Sequence, residues 1–119
     1  MNIIYYLYKI TNIITNDMYI GKTINPIAKR FHRHINDAIS NRLDTHLARA
    51  IRYYKPDNFR IEQIDTANTI DELNIKEKYW IAKYDTYNNG YNETEGGDGG
   101  NTYSKKTKEE MNIIKEKLH

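Results

Sequence analysis

Glu77 makes the strongest demand on its surroundings. Leu73, Glu77, Trp80, Ile81 and Tyr84 recur at helical spacing, which sets a carboxylate in an apolar seam. An ionised carboxylate there costs several kcal/mol unless a cation compensates it. Three arrangements meet the demand: an ion pair with an arginine of another element, a helix end that turns Glu77 to solvent, or a metal ligand. The 119 residues contain no cysteine, so thiolate nucleophiles and thiolate metal sites are excluded. Any metal must sit on oxygen or imidazole.

Arg30 and His34 stand one helical turn apart with Asp37 following in the same row. The planar fork of an arginine suits a phosphate oxygen and never loses its charge; a surface arginine beside a solvated histidine satisfies the same spacing. His32 and His34 are two apart and face different ways on a helix, which argues against a paired-histidine metal site. His46 is by pattern a lone, structural histidine. Tyr8 and Tyr19 fall on two consecutive strand-like runs, where a tyrosine is ordinarily a packed amphipathic ring. A phenol of pKa about 10 is a poor base near neutrality. A unit charge about 4 Å away at an effective dielectric of about 20 contributes about 4 kcal/mol, or roughly three pKa units. Arg30 or a metal beside a tyrosine would make it competent.

The elements that position these side chains are marked by period and punctuation. Residues 3–10 and Met18–Gly21, separated by the turn cluster Thr15-Asn16-Asp17, read as a β-hairpin with Tyr6, Tyr8 and Ile10 on one face and Tyr5, Leu7 and Lys9 on the other. Asn25-Pro26 reads as an N-cap with proline at the first helical position, opening a helix from about Pro26 to Ser40 with Ile27, Phe31, Ile35, Ala38 and Ile39 inward. A short helix from His46 to Tyr54, a strand from Phe59 to Ile64, and a helix opened by the capping box Thr69-Ile70-Asp71-Glu72 and reaching Tyr84 follow. Glycine-rich turn chemistry then ends the compact part, with a boundary expected near Glu95: residues 1–95 as the domain, 96–119 as a glycine-rich linker and basic helical tail carrying Met111, Ile114 and Leu118.

Net charge is only +2, but its distribution is uneven. From Lys22 to Arg60 nine Lys and Arg stand against three acids, and from Ile61 to Asn101 nine acids stand against three lysines. Such a chain can fold with one electropositive face fit for a phosphate backbone, or with a solvated mixed surface. Lys22, Arg30, Arg33 and Arg49 are the candidate DNA contacts. No apolar run approaches a membrane span, and the N-terminus lacks a basic flank and cleavage site, so an intracellular, non-membrane protein is expected.

Tyr6-Leu7-Tyr8, Tyr19-Ile20-Gly21, Arg30 with His34, His46, Glu77 within Glu77-Lys78-Tyr79-Trp80-Ile81, and Gly90-Tyr91-Asn92 together resemble the ordered motif set of the GIY-YIG nucleases over residues 4–95. The likeness is greatest to the catalytic domains of phage and viral homing endonucleases, and the Asn, Ile and Lys content fits an AT-rich viral or phage genome. One departure is visible, Tyr6 where the family has glycine.

The resemblance implies a small α/β (α+β) fold, a three-stranded antiparallel sheet flanked by three helices, hydrolysing DNA phosphodiesters with one Mg²⁺ or Mn²⁺ per site. It implies Glu77 as the metal ligand, Arg30 on the scissile phosphate, and one of the two tyrosines as general base, a role taken here for Tyr8 with Tyr19 hydrogen-bonded beside it. His34 and His46 would orient water or phosphate, and Asn92 would shape the site. A structure-selective repair nuclease and a catalytically silent DNA-binding module of the same fold are the alternatives. DNA is the expected partner, with a further DNA-binding domain or a transient dimer supplying target reading or the second cut.

Overall fold

The computed structural model describes residues 3–97; the expected C-terminal helix lies outside the described residues. Tyr5–Asn12 (β1) and Met18–Thr23 (β2) form the hairpin, in a register that sets Tyr8 opposite Gly21 and Ile10 opposite Tyr19. Asn12 closes the turn: its Oδ1 accepts from the Ile14 amide at 2.9 Å and its carbonyl from that of Asn16 at 2.7 Å. Asn16 takes φ 67°, a left-handed conformation that asparagine tolerates.

Phe59–Ala67 (β3) adds to the other side of β1, giving the antiparallel order β2-β1-β3 with β2 at an edge. The strand runs past its expected end at Ile64, because an extra residue is accommodated opposite the Leu7/Tyr8 step. That irregularity breaks the period-2 pattern a strand is read by. It also aligns Asp65 with Leu7 and turns its carboxylate to the helix beyond, where it accepts from Trp80 Nε1 at 3.0 Å and Lys76 Nζ at 3.2 Å.

Ile27–Ile39 (α1) and His46–Tyr54 (α2) cover one face of the sheet, Ile70–Tyr84 (α3) the other, and the short Thr86–Asn89 (α4) follows. Alternation along β1 divides the core accordingly. Tyr8 and Ile10 pack with Ala38, Leu47, Ile51 and Phe59, while Leu7 packs with Ala67, Leu73 and Trp80. Complete burial of each large apolar side chain contributes about 1.5–3 kcal/mol. The expected three-stranded α/β fold is thus present.

Local chemistry shifts some details. Pro26 is the N-cap of α1 rather than its first residue, and the Asn25 amide donates instead to Thr23 Oγ1 at 3.0 Å. Ile39, expected inward, is exposed, whereas Asp37, in the row of Arg30 and His34, is buried. The chain leaving α1 folds back there, with the Arg42 and Leu43 amides donating to the Asp37 carbonyl. Thr45 caps α2 by accepting from the Ala48 amide. Thr69 caps α3 as expected, but the Glu72 carboxylate returns to the Asn68 amide rather than to that of Thr69.

Candidate active site

The site straddles the edge strand β2, with α1 side chains approaching from one face of the sheet and α3 from the other. A cavity of about 330 Å³ is lined by Tyr19, Arg30, His34, Glu77 and Asn92, and by Thr45 and Glu93, which the motifs had not indicated.

Tyr8 is wholly buried, and its ring lies across Gly21. Its hydroxyl is 2.7 Å from His34 Nε2. The hydrogen bond expected between Tyr8 and Tyr19 is replaced by this one; the two phenol rings are 6.3 Å apart at their centroids, and both meet His34 edge-on. The reason is geometric: α1 lays the imidazole over the phenols, so the hydroxyl finds a ring nitrogen first.

Burial pushes the Tyr8 phenol well above its ordinary value, with the neighbouring Tyr19 adding to the rise; the adjacent Arg30 guanidinium pulls it down without offsetting burial. Burial likewise raises Tyr19, against the pull of Arg30. His34 is lowered to about 4, first by burial and then by Arg30. Near neutral pH the pair is therefore an uncharged phenol against an uncharged imidazole. The activation of a tyrosine by Arg30 alone, expected from the sequence, is outweighed by desolvation. Arg30 itself has no carboxylate at ion-pair distance among the described residues.

Glu77 is buried, and its partner is a lysine rather than an arginine. Lys22 Nζ lies 2.9 Å from Oε1 and donates also to Asn74 Oδ1 at 2.8 Å. The Gly97 amide donates to the same Oε1 at 3.1 Å. No described residue hydrogen-bonds Oε2, on a side chain that lines the cavity. Among the described residues no group of three His, Cys, Asp or Glu could hold a metal. A divalent cation on Glu77 would rest on that one carboxylate, with water and substrate oxygens completing its shell, while the cavity's other carboxylate, Glu93, is engaged by the His46 amide. A hard ion such as Mg²⁺ accepts that donor set.

Asn92 is buried against the outer edge of β2, its Oδ1 accepting from the Ile20 amide at 2.8 Å and its Nδ2 donating to the Ile20 carbonyl at 2.9 Å. The carboxamide stands in for the peptide of a fourth strand. The Tyr91 amide extends this pairing to the Met18 carbonyl at 2.9 Å, and the Tyr91 hydroxyl accepts from Asn12 Nδ2 at 3.0 Å.

His46 is exposed at the start of α2 with its ring edge-on to Tyr91, and it does not line the cavity. Its amide donates to Glu93 Oε2 at 2.6 Å. Arg33 and Lys22 line a second groove with Thr23, Asn25, Lys29 and Arg30. Arg49 lines neither; its guanidinium donates at the surface to the Asp44 carbonyl at 2.6 Å. Sequence reasoning missed Asn74, Glu93 and Gly97; the first is an ordinary helix residue by pattern, and the others act after the last hydrophobic period.

Two solved structures share the fold. The chain superposes with a TM-score of 0.68 and 21% identity on a glutamate-to-alanine mutant of the catalytic domain of the intron endonuclease I-TevI, covering 84% of this chain and 99% of that one. A second structure, the catalytic domain of homing endonuclease I-TevI, gives 0.66 and 24%, covering 76% and 98%. Over 85 residues the chain is 32% identical to the MSV199 domain-containing protein 146R of Invertebrate iridescent virus 6, a stretch equal to 70% of this chain and 34% of that protein. The chain thus spans about a third of the length of that curated relative. A model of the GIY-YIG catalytic domain matches residues 4–92, and the chain belongs to that family.

Proposed function

We propose that this nuclease domain is a divalent-metal-dependent DNA endonuclease of the homing type, using one Mg²⁺ or Mn²⁺. The observation that carries the reading is the convergence of Arg30, His34, Tyr19 and Glu77 on one cavity with the Tyr8 hydroxyl against His34 Nε2. A guanidinium, a proton path and a hard carboxylate are the parts that phosphodiester hydrolysis needs.

Glu77 would hold the cation through Oε2, and the ion would supply Lewis-acid stabilisation of the departing 3′ oxygen. Arg30 binds the scissile phosphate and stabilises the charge that grows on it. Tyr8 passes a proton rather than storing charge: its hydroxyl is buried behind His34 in the free protein, and once substrate binding admits water beside it, the oxygen takes a proton from the attacking water as its own moves to His34 Nε2. This route avoids a free phenolate, which burial disfavours. A phosphate dianion-like transition state beside His34 favours its protonated form, raising its capacity as acceptor when substrate is bound. Tyr19 walls the cavity, and Asn92 and His46 act through the segments they hold.

The whole protein's target reading belongs to contacts beyond this cavity. Groove-facing Lys22, Lys29 and Arg33 contact backbone phosphates, which position DNA without reading it. We assign base recognition to a further DNA-binding segment, and a double-strand break to two copies acting in turn. No helix among the described residues is long and apolar enough to cross a membrane.

The test is supercoiled-plasmid cleavage in Mg²⁺, Mn²⁺ and EDTA, with Glu77→Gln alongside. Metal-dependent nicking that disappears in Glu77→Gln is expected. Retardation of DNA with no scission at any metal concentration would favour a silent binding module instead.

A further inference from the structure

Lys22 faces two ways. Its ammonium is held by Glu77 Oε1 and Asn74 Oδ1, with the side chain 21% exposed, and the same residue lines the groove of about 240 Å³ formed with Thr23, Asn25, Lys29, Arg30 and Arg33. That groove is cationic along most of its wall, which is the chemistry that receives a phosphate oxygen. Among the described residues Glu77 therefore answers to one cation, and a phosphate in the groove offers that cation another partner.

From this placement we infer that Lys22 is a placeholder cation: it neutralises Glu77 until a divalent ion arrives, then leaves the carboxylate for a backbone phosphate in the adjoining groove. The inference rests on the proposed metal role of Glu77. Two cations on one largely buried carboxylate repel each other, and the repulsion is poorly screened at low exposure. The divalent ion must compete with Lys22, so it binds weakly to the free protein. A bound strand relieves the competition, coupling cation and DNA binding. The coupling is reciprocal, since each ligand must raise the affinity for the other by the same factor. Lys22 is a positioning residue on this account, acting through Glu77.

The experiment is calorimetric titration of the DNA-free chain with Mn²⁺, comparing the protein with Lys22→Gln, Lys22→Arg and Glu77→Gln. Glutamine keeps a hydrogen-bond donor while removing the charge, and circular dichroism checks that each variant folds. Lys22→Gln should bind Mn²⁺ on the order of tenfold more tightly, Lys22→Arg about as weakly as the parent, and Glu77→Gln should lose the site. A second readout needs no substitution. The ¹⁵N signal of the Lys22 ammonium should be slow to exchange in the free protein and broaden as Mg²⁺ is added. If Glu77→Gln abolishes Mn²⁺ binding but Lys22→Gln leaves it unchanged or weaker, the competition is overturned and the metal role stands. Unaltered Mn²⁺ binding in Glu77→Gln overturns both. A Lys22 signal indifferent to saturating Mg²⁺ overturns the competition by itself.

Discussion

The Tyr8 ring rests on the backbone of Gly21, its partner across the β1-β2 ladder, so closely that a Cβ at residue 21 would stand 2.2 Å from the phenol Cζ and 2.3 Å from its oxygen. The glycine is thus what permits a large ring to lie flat within a hairpin and present its hydroxyl to His34. Gly21→Ala should move the ring and break the bond to His34. Overpacking of this kind costs about 1–3 kcal/mol, and plasmid cleavage should fall by on the order of a hundredfold. Tyr8→Phe should lose cleavage equally while changing stability by only about 1 kcal/mol in urea unfolding. A fully active Gly21→Ala protein would show that the phenol's seat does not matter.

Asn92 ties the free edge of the sheet beside the cavity. Asn92→Ala strands the amide and the carbonyl of Ile20, each of which costs about 1–3 kcal/mol when buried without a partner. The expected loss is about 2–6 kcal/mol by chemical denaturation, with cleavage reduced because Tyr19 and Gly21 flank Ile20. Asn92→Asp should be no better, since a carboxylate has no hydrogen to give the Ile20 carbonyl. Equal stability of the parent and Asn92→Asp would mean that the donor half of the clamp contributes nothing.

The hairpin and the helices were legible because period and caps are local signals that survive in a single sequence, whereas Tyr8, Arg30, His34 and Glu77 were joined into one site only by the resemblance of their motifs to a known family. Glu77 in its apolar seam announced a compensating partner, but a period cannot say which cation reaches it from another element. Lys22 lies far away in sequence, and its charge was read as a contact for DNA rather than as the partner of Glu77. The irregularity in β3 escaped for the opposite reason: an extra residue erases the alternation by which a strand is recognised. Gly97 was read as linker because glycine-rich runs ordinarily end domains, yet its amide is buried on Glu77.

His34 predicts a pH dependence of stability. Its value is lowered to about 4 in the folded chain, against about 6.5 for a free histidine, so the unfolded chain binds more protons between these values. Stability should therefore be full above about pH 6.5 and decline as pH falls towards 4, by on the order of 3 kcal/mol from this group. Urea unfolding between pH 4 and 7 should give a shallower slope for His34→Gln than for the parent protein. Identical slopes would remove His34 as the source.

Gly97 links the glycine-rich segment to the carboxylate on which the proposed chemistry depends. Its φ of 91° lies where proline cannot go, and its amide hydrogen is one of two donors fixing Glu77 Oε1. Gly97→Pro removes the donor and the backbone conformation together, leaving Oε1 to Lys22 alone and the carboxylate free to rotate. Cleavage should drop by about tenfold or more, because a misplaced group loses the orientation on which rate depends. Glu95→Ala, two residues earlier at an exposed position, should cleave like the parent protein. Glu95→Ala controls for losing a side chain in this segment, and Gly97→Ala controls for backbone strain, since it keeps the amide hydrogen at the same positive φ. Plasmid cleavage by the three variants at matched Mg²⁺ should place Gly97→Ala above Gly97→Pro, and equal losses in these two would make backbone strain rather than the contact with Glu77 the cause.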